Sequence, residues 1–207
     1  MADLEAIKEK VQKGDAPGVK ELVQKELDAG ADPQELFFDG LIAGMKLVID
    51  KFKRNEAYIP EVLISARAND AGMELIQPEL EKLDYKPKAK LLLGTVKGDL
   101  HDIGKNLVAM SFRGQGYEVV DIGVDQAEDR FVEAAKEKDP DVIGLSALLT
   151  TTMPQMKIVI DALKDGGVDV PVIVGGAPVT QDYADEIGAA GYAPDAATAV
   201  EKAEELL

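Results

Sequence analysis

The chain contains a single histidine, His101, and an aspartate, Asp99, stands two residues before it. A neutral imidazole binds a metal ion through the lone pair of one ring nitrogen. A carboxylate that accepts a hydrogen bond from the other nitrogen fixes the tautomer and makes the ring a better ligand. The pair therefore has the composition of a metal ligand and its orienting group. A histidine that only caps the start of a helix is the alternative.

The rest of the composition restricts the kind of site that can be built. The 207 residues include no cysteine, so disulfides, thiolate ligands and cysteine nucleophiles are excluded. The single histidine excludes sites with several histidines, and tryptophan is also absent. The formal net charge of −16 argues against nucleic acid and anionic membranes as partners, because both require a basic surface. The sequence has no apolar run of roughly 18 residues and no signal-peptide pattern at its start. We therefore expect a cytoplasmic protein.

Residues 1–84 carry apolar side chains at helical spacing in four runs. Asp15 and Asp32 precede the second and third runs as N-caps, and each is followed within two residues by a proline. This pattern predicts four amphipathic helices packed as an antiparallel bundle. Residues 85–89 are polar, include a proline and are predicted to form a linker.

From residue 90 to residue 207, short apolar runs alternate with helical patterns. The first of these runs, Leu91–Val96, has the continuous apolar character of a strand buried on both faces. Strict alternation predicts a parallel sheet with helices on both faces. Five runs predict a five-stranded, doubly wound α/β domain of the flavodoxin or Rossmann-like type.

The residues capable of chemistry follow the carboxyl ends of three predicted strands. Residues 94–106 lie at the end of the first strand, residues 146–152 follow the third, and residues 175–178 follow the fourth. In an open parallel sheet, ligands bind outside the carboxyl ends of the strands, where the strand order reverses. We therefore expect these segments to form one site.

Three short motifs occur at fixed separations in this half of the chain. They are Asp99-x-His101-x-x-Gly104, then after 41 residues Ser146-x-Leu148, and after a further 26 residues Gly175-Gly176. Together they resemble the corrinoid-binding signature of the cobalamin-dependent methyltransferases and mutases, and residues 96–106 resemble the corresponding loop of cobalamin-dependent methionine synthase. The whole chain is similar to the small methyl-carrying corrinoid proteins of the methylamine, methanol and methoxyarene methyltransferase systems.

The resemblance implies a corrinoid cofactor (methylcobalamin and cob(I)alamin, or a variant with another lower base) whose cobalt takes His101 as its lower axial ligand. Asp99 would orient the ring, and Thr152 would complete a relay to solvent, where methionine synthase has a serine. Ser146 would bind the displaced base of the cofactor, and Gly175 and Gly176 would leave room for its nucleotide tail. An ordinary strand-to-loop turn is the alternative for these two glycines. The remaining residues that the resemblance assigns to the cofactor are Gly98, Asp102, Ile103, Gly104, Leu148 and Thr150.

The resemblance also implies a role for the helical half. In the family, a four-helix cap covers the upper face of the corrin, and the matching positions here are Phe52, Ile59 and Val62. Apolar residues at helical spacing are more often bundle core, and this alternative stays open. The cap must move aside for partner enzymes, which makes residues 84–89 a predicted hinge.

The implied function is that of a methyl carrier, a subunit of a methyltransferase system rather than a complete catalyst. It accepts a methyl group on Co(I) from a substrate-specific methyltransferase and passes it to a second methyltransferase, with coenzyme M or tetrahydrofolate as the acceptor. A reductive activase is a further implied partner. Two alternatives are a cobalamin-binding sensor or regulator and an adenosylcobalamin mutase subunit. The absence of tryptophan and of a basic patch argues against the first alternative. The second is disfavoured because this chain supplies a helical cap of its own.

Overall fold

A computed structural model describes residues 2–54, 56–82 and 87–207. Contacts within the chain divide it into two compact units, Met1–Pro87 with Gly114–Gly116 and Lys88–Arg113 with Tyr117–Leu207. We call the first the helical unit and the second the sheet unit. Residues 84–86 lie outside the described residues, so the linker 85–89, the hinge 84–89 and the domain bounds 1–84 and 90–207 stay predictions.

In the part that the structure describes, the helical unit has four continuous helical stretches, as the apolar spacing predicts. They are α1 (Leu4–Gln12), α2 (Ala16–Asp28), a third stretch made of α3 (Pro33–Glu35), a π-helix (Leu36–Ile42) and α4 (Ala43–Lys53), and α5 (Ile59–Lys82). The π-helix is not predicted, because one widened turn displaces the apolar positions too little to disturb the helical spacing. No helix within the described ranges is long and apolar enough to cross a membrane.

Capping and apolar packing explain why these residues are helical. The side chain of Asp15 accepts a hydrogen bond from the backbone N–H of Gly18, and that of Asp32 accepts one from the N–H of Gln34, so both predicted N-caps are confirmed. One apolar face of each long helix is buried, and the fully buried side chains of the unit include Ile7, Val11, Val19, Val23, Leu36, Leu41 and Ile76.

The sheet unit has five parallel strands in the order β2-β1-β3-β4-β5. In chain order its elements are β1 (Lys90–Thr95), α6 (Ile103–Arg113), β2 (Glu118–Asp121), α7 (Glu128–Lys138), β3 (Val142–Ser146), α8 (Pro154–Asp165), β4 (Val172–Gly175), α9 (Gln181–Ile187), β5 (Gly191–Ala193) and α10 (Ala196–Leu206). The predicted α/β class, strand number and alternation are confirmed. The strand order reverses between β1 and β3, which is where a ligand is expected.

Buried side chains on both faces of the sheet explain the continuous apolar runs. Leu92 packs in one apolar cluster with residues of α7, α8 and α9. Its neighbours Leu91 and Leu93 pack in a second cluster with residues of α6 and α10. Because successive strand residues point to opposite faces, a strand covered on both sides is apolar throughout.

The carboxyl ends of the central strands lie in register. Thr95 of β1 pairs with Ser146 of β3, Ser146 pairs with Gly175 of β4, and Gly175 pairs with Ala193 of β5. The loops that leave these strands therefore start from one edge of the sheet. This edge contains the segments predicted to form the site.

Candidate functional site

The carboxylate of Asp99 lies at the centre of the site and has no exposed surface. Its Oδ1 accepts a hydrogen bond from the backbone N–H of His101 at 3.1 Å and lies 2.7 Å from the ring Nδ1 of that residue. Its Oδ2 accepts from the backbone N–H of Leu148 at 2.7 Å, from that of Leu149 at 3.3 Å and from the hydroxyl of Thr152 at 2.7 Å. The structure thus brings together the three residues predicted to act in catalysis.

The charge of Asp99 fixes the tautomer of His101. Burial alone would raise the pKa of Asp99, but the hydrogen bonds from Thr152, Leu148 and His101 outweigh it and hold the pKa of this carboxyl well below its usual range. An ionised carboxylate only accepts hydrogen bonds, so Nδ1 of His101 must carry the ring proton. The lone pair is then on Nε2, and half of the His101 side chain is exposed.

The main chain of His101 is held from the end of β1. The hydroxyl of Thr95 donates to the backbone carbonyl of His101 at 3.0 Å, and Thr95 is fully buried. No role in the site is predicted for Thr95 from the sequence. A polar residue inside the apolar run Leu91–Val96 was the available signal.

The loop after β2 is a second part of the site that is not predicted from the sequence. Asp125 in this loop donates its backbone N–H to the carbonyl of Asp99 at 3.0 Å, and its Oδ1 accepts from the N–H of Gly98 at 2.6 Å. No motif marks the loop. Its role depends on contacts between segments that are distant along the chain.

Gly104 lies in the first turn of α6, where a Cβ would meet no atom within 4 Å. Packing within the chain therefore does not require a glycine there, although glycine in a helix is less favourable than alanine by about 1 kcal/mol. Large apolar side chains are exposed beside it, on the adjoining loops and at the start of α6, namely Leu100, Ile103, Leu148 and Leu149. A bulky, partly apolar ligand over Gly104 would cover these side chains and explain the glycine.

Gly175 and Gly176 have the opposite surroundings. A Cβ on Gly176 would lie 1.8 Å from the backbone oxygen of Ala147, and the φ of Gly176 is +137°. A Cβ on Gly175 would lie 2.8 Å from the backbone oxygen of Ala193. The fold alone therefore accounts for both glycines, as the strand-to-loop alternative holds, and their role beside the nucleotide tail stays a prediction.

The other predicted cofactor residues fall in two places. Gly98, Asp102, Ile103, Leu148 and Thr150 are exposed on loops or helix starts at the carboxyl edge of the sheet, and Ser146 is half-buried at the end of β3. In the helical unit, Phe52 is half-buried, Ile59 is 41% exposed and Val62 is 1% exposed. Contact of these three residues with the cofactor stays a prediction.

The donor set restricts the metal that can bind. Among the residues that the structure describes, no group of three or more His, Cys, Asp or Glu side chains could hold a metal ion. A single imidazole suits a metal that brings its other ligands with it, as a macrocycle does. The ring of His101, the free space over Gly104 and the exposed apolar side chains fit such a group. The described fold and site thus fit a doubly wound domain in which His101 would hold a metal macrocycle.

Comparisons with known proteins identify the macrocycle. Models described as B12 binding domain match residues 89–201 and 3–77. The chain is 41% identical over 212 residues to a corrinoid protein of Desulfitobacterium hafniense (strain Y51), covering 100% of this chain and 98% of that protein. It is 43% identical over 199 residues to trimethylamine corrinoid protein 2 of Methanosarcina acetivorans, covering 94% and 92%. The methanol:cobalamin methyltransferase complex MtaBC of Methanosarcina barkeri matches with a TM-score of 0.91 and 33% identity, over 98% of this chain and 78% of that one.

The chain therefore belongs to the B12-binding domain family, and its cofactor is a corrinoid. The resemblance stated from the three sequence motifs is confirmed. The assignment of individual residues to the cofactor still depends on the geometry described above.

The substitution Gly104→Ala distinguishes a glycine required by the cofactor from a glycine required by the fold. In the cofactor-free chain, we expect the free energy of unfolding to rise by up to about 1 kcal/mol, because alanine is the better helix former and its methyl group meets nothing. We expect corrinoid affinity to fall about tenfold, because the methyl group occupies space that the macrocycle needs. Urea denaturation of the cofactor-free chain and titration with hydroxocobalamin measure the two effects.

Gly176→Ala is the matched control. Its methyl group would collide with the carbonyl of Ala147, so the cofactor-free chain should lose at least about 2 kcal/mol of stability. Unchanged corrinoid affinity in Gly104→Ala would mean that the space over Gly104 is not part of the site.

Proposed function

We propose that this chain is the methyl carrier of a corrinoid-dependent methyltransferase system. It would receive the methyl group from a substrate-specific methyltransferase and deliver it to a second methyltransferase that uses coenzyme M or tetrahydrofolate. The names of the trimethylamine corrinoid protein and of the methanol:cobalamin methyltransferase complex support this proposal. The observation within this chain that carries it is the buried carboxylate of Asp99 between the ring of His101 and the hydroxyl of Thr152.

When it is bound, the corrinoid supplies a cobalt centre that takes up a methyl group and releases it again. His101 of this chain would hold the cobalt and would carry the ring proton on Nδ1. With Nδ1–H of His101 held by Asp99, the lone pair of Nε2 is ready to bind metal. Whenever Nε2 is not a ligand, it can accept a proton, and the adjacent carboxylate balances the charge of the imidazolium.

Thr152 gives this pair an adjustable partner. Its hydroxyl oxygen lies 2.7 Å from Oδ2 of Asp99 and 2.9 Å from the backbone oxygen of Leu149. A hydroxyl has one hydrogen, so it can donate to only one of these oxygens at a time. We propose that the hydroxyl donates to Asp99 when His101 is a neutral ligand and can turn to Leu149 when the ring is protonated.

The proposal includes one further partner and a location. A reductive activase would restore oxidised cobalt, because a chain without cysteine has no thiolates for an iron–sulfur cluster. Recognition of the methyl donor would be the task of the first methyltransferase. The cytoplasmic location stays a prediction.

A donor panel tests the proposal. The chain is loaded with hydroxocobalamin, reduced, and incubated with purified methyltransferases for methylamines, methanol, aryl methyl ethers and betaine. We expect the corrinoid to be methylated with one enzyme and its donor, and the methyl group then to move to coenzyme M or tetrahydrofolate when the second enzyme is added.

Thr152→Val, which keeps the shape of the side chain without the hydroxyl, should slow the transfer severalfold, whereas the exposed Lys97→Ala should not change it.

The upper ligand of the cofactor distinguishes the alternative functions. An adenosyl group on protein isolated from its native source, together with no methylation by any donor pair, would contradict the methyl carrier and favour a mutase subunit or a sensor.

A further inference from the structure

The loop after β2, residues 122–127, is bound along the end of β1. The backbone N–H of Thr95 donates to the carbonyl of Gly123 at 3.0 Å, and the N–H of Gln126 donates to the carbonyl of Thr95 at 3.0 Å. The hydrogen bonding of β1 with the β2 side thereby continues beyond the regular pairing of these two strands. It holds this loop beside the segment that contains Asp99.

Asp125 joins this loop to both sides of one peptide unit. Its Oδ1 accepts the N–H of Gly98 at 2.6 Å, and its own N–H donates to the carbonyl of Asp99 at 3.0 Å. These are the groups that flank the Gly98–Asp99 peptide bond. A displacement of Gly98 or Asp99 away from this loop would break one or both contacts.

The position of this peptide matters because it sets the position of the Asp99 carboxylate. On its other side, the carboxylate is held by the loop after β3, through the N–H groups of Leu148 and Leu149 and the hydroxyl of Thr152. The bond from Oδ1 to Nδ1 of His101 is 2.7 Å long, so a small displacement of Asp99 would lengthen it.

The backbone conformation of Asp125 allows its side chain and its N–H to make both contacts. Its φ is +55°, in the left-handed region that favours glycine. In this conformation, the N–H and the carboxylate reach the same segment. Asp139, at the end of α7, is the other non-glycine residue with positive φ within the described ranges, and its N–H donates to the carbonyl of Ala135, away from the site.

We infer that Asp125 is a positioning residue: by holding both sides of the Gly98–Asp99 peptide, it keeps Asp99 in place to orient His101. The inference rests on the proposed function only in that His101 is taken as the cobalt ligand. Asp125 acts through Asp99 and does not itself contact the reacting atoms.

Three variants of the full chain distinguish the effect of the hydrogen-bond acceptor at Asp125 from the effect of its backbone conformation. Asp125→Asn keeps an oxygen acceptor and a residue type tolerant of positive φ. Asp125→Gly adopts the conformation freely but has no acceptor. Asp139→Gly makes the same change at the matched position that does not contact the site.

The first measurement uses the chain without cofactor. In Asp125→Gly, we expect the amide of Gly98 to exchange with deuterium about tenfold faster. We also expect the Nδ1 proton of His101, assigned without ambiguity because the chain has one histidine, to exchange faster with water. Asp125→Asn and Asp139→Gly should match the parent within about twofold in both readouts.

The second measurement uses the chain loaded with methylcobalamin. The ratio of histidine-ligated to unligated cobalt, read from the absorption spectrum, should fall about five- to tenfold in Asp125→Gly and should be recovered in Asp125→Asn. An unchanged Gly98 exchange rate or an unchanged ratio in Asp125→Gly would overturn the inference, and so would an equal spectral change in Asp139→Gly.

A parent chain that shows no histidine-ligated spectrum with methylcobalamin would refute the proposed function instead. The exchange rates of the Gly98 amide and the His101 ring proton would then decide the role of Asp125 alone.

Discussion

His101→Ala should abolish the histidine-ligated spectrum of the corrinoid-loaded chain and weaken corrinoid retention at least about tenfold. The expected loss is large because no other imidazole exists in the sequence and because the described residues contain no cluster of three metal-binding side chains. The absorption spectrum of the methylcobalamin complex and the rate of corrinoid loss on dilution measure the two effects.

The fold should survive this change, because half of the His101 side chain is exposed and exposed substitutions are usually within about 0.5 kcal/mol. Added imidazole should restore the ligated spectrum of His101→Ala by entering the space that the ring has left. Lys97→Ala, an exposed change on the same loop, serves as the control with an unaltered spectrum. A ligated spectrum in His101→Ala without added imidazole would remove this residue from the ligand role.

Most of the fold could be predicted from the sequence because it depends on local patterns. The five apolar runs after residue 90 predict strands, and the helical patterns between them predict the crossovers that parallel strands require. The N-caps Asp15 and Asp32 follow from short-range chemistry. The π-helix at Leu36–Ile42 could not be predicted, since it widens a helix without changing which side chains are apolar.

The site could be predicted only where a motif marks it. Asp99 and His101 are two residues apart, and Thr152 follows the third strand, so the position of the strand ends brings them together. Thr95 and Asp125 act through backbone groups, a carbonyl for the first and a carbonyl and an N–H for the second. Every residue has such groups, so the sequence does not show which of them need a partner.

The glycines of the three motifs differ in how far the fold explains them. Gly176 is required by the carbonyl of Ala147, whereas nothing in the chain lies near a Cβ on Gly104. Both glycines belong to the motifs that resemble the corrinoid-binding signature, and an ordinary strand-to-loop turn is the alternative for Gly176. The structure therefore makes Gly104 the stronger indication of an external group.

Asp99→Asn should reverse the tautomer of His101 with almost no change in side-chain shape. The Oδ2 side of Asp99 receives three donors, two of them backbone N–H groups, and cannot accommodate an amide NH₂. We therefore expect the NH₂ to lie on the side of His101, where it would donate to Nδ1. The ring proton would then move to Nε2, the nitrogen that must be free to bind cobalt.

The change should lower the fraction of histidine-ligated cobalt about 10- to 100-fold, as loss of a ligand's orienting partner does. It should also lower the free energy of unfolding by about 1–3 kcal/mol, because the backbone N–H of His101 then faces an NH₂ group without an acceptor. The nitrogen-15 shifts of the single histidine in the cofactor-free chain report the tautomer directly, and the absorption spectrum of the methylcobalamin complex reports ligation.

The pH dependence of stability provides an independent check on the charge of Asp99. Its pKa is lower in the folded chain than in the unfolded one, so the ionised carboxylate contributes stability that is fully present above the unfolded pKa of about 3.9 and is lost as the pH falls toward the folded pKa. Asp99→Asn should lack this part of the acid-induced loss, whereas Thr152→Val, which leaves Leu148 and Leu149 as donors, should keep most of it. An Nδ1-protonated ring in Asp99→Asn, with ligation as in the parent, would show that the carboxylate does not set the tautomer.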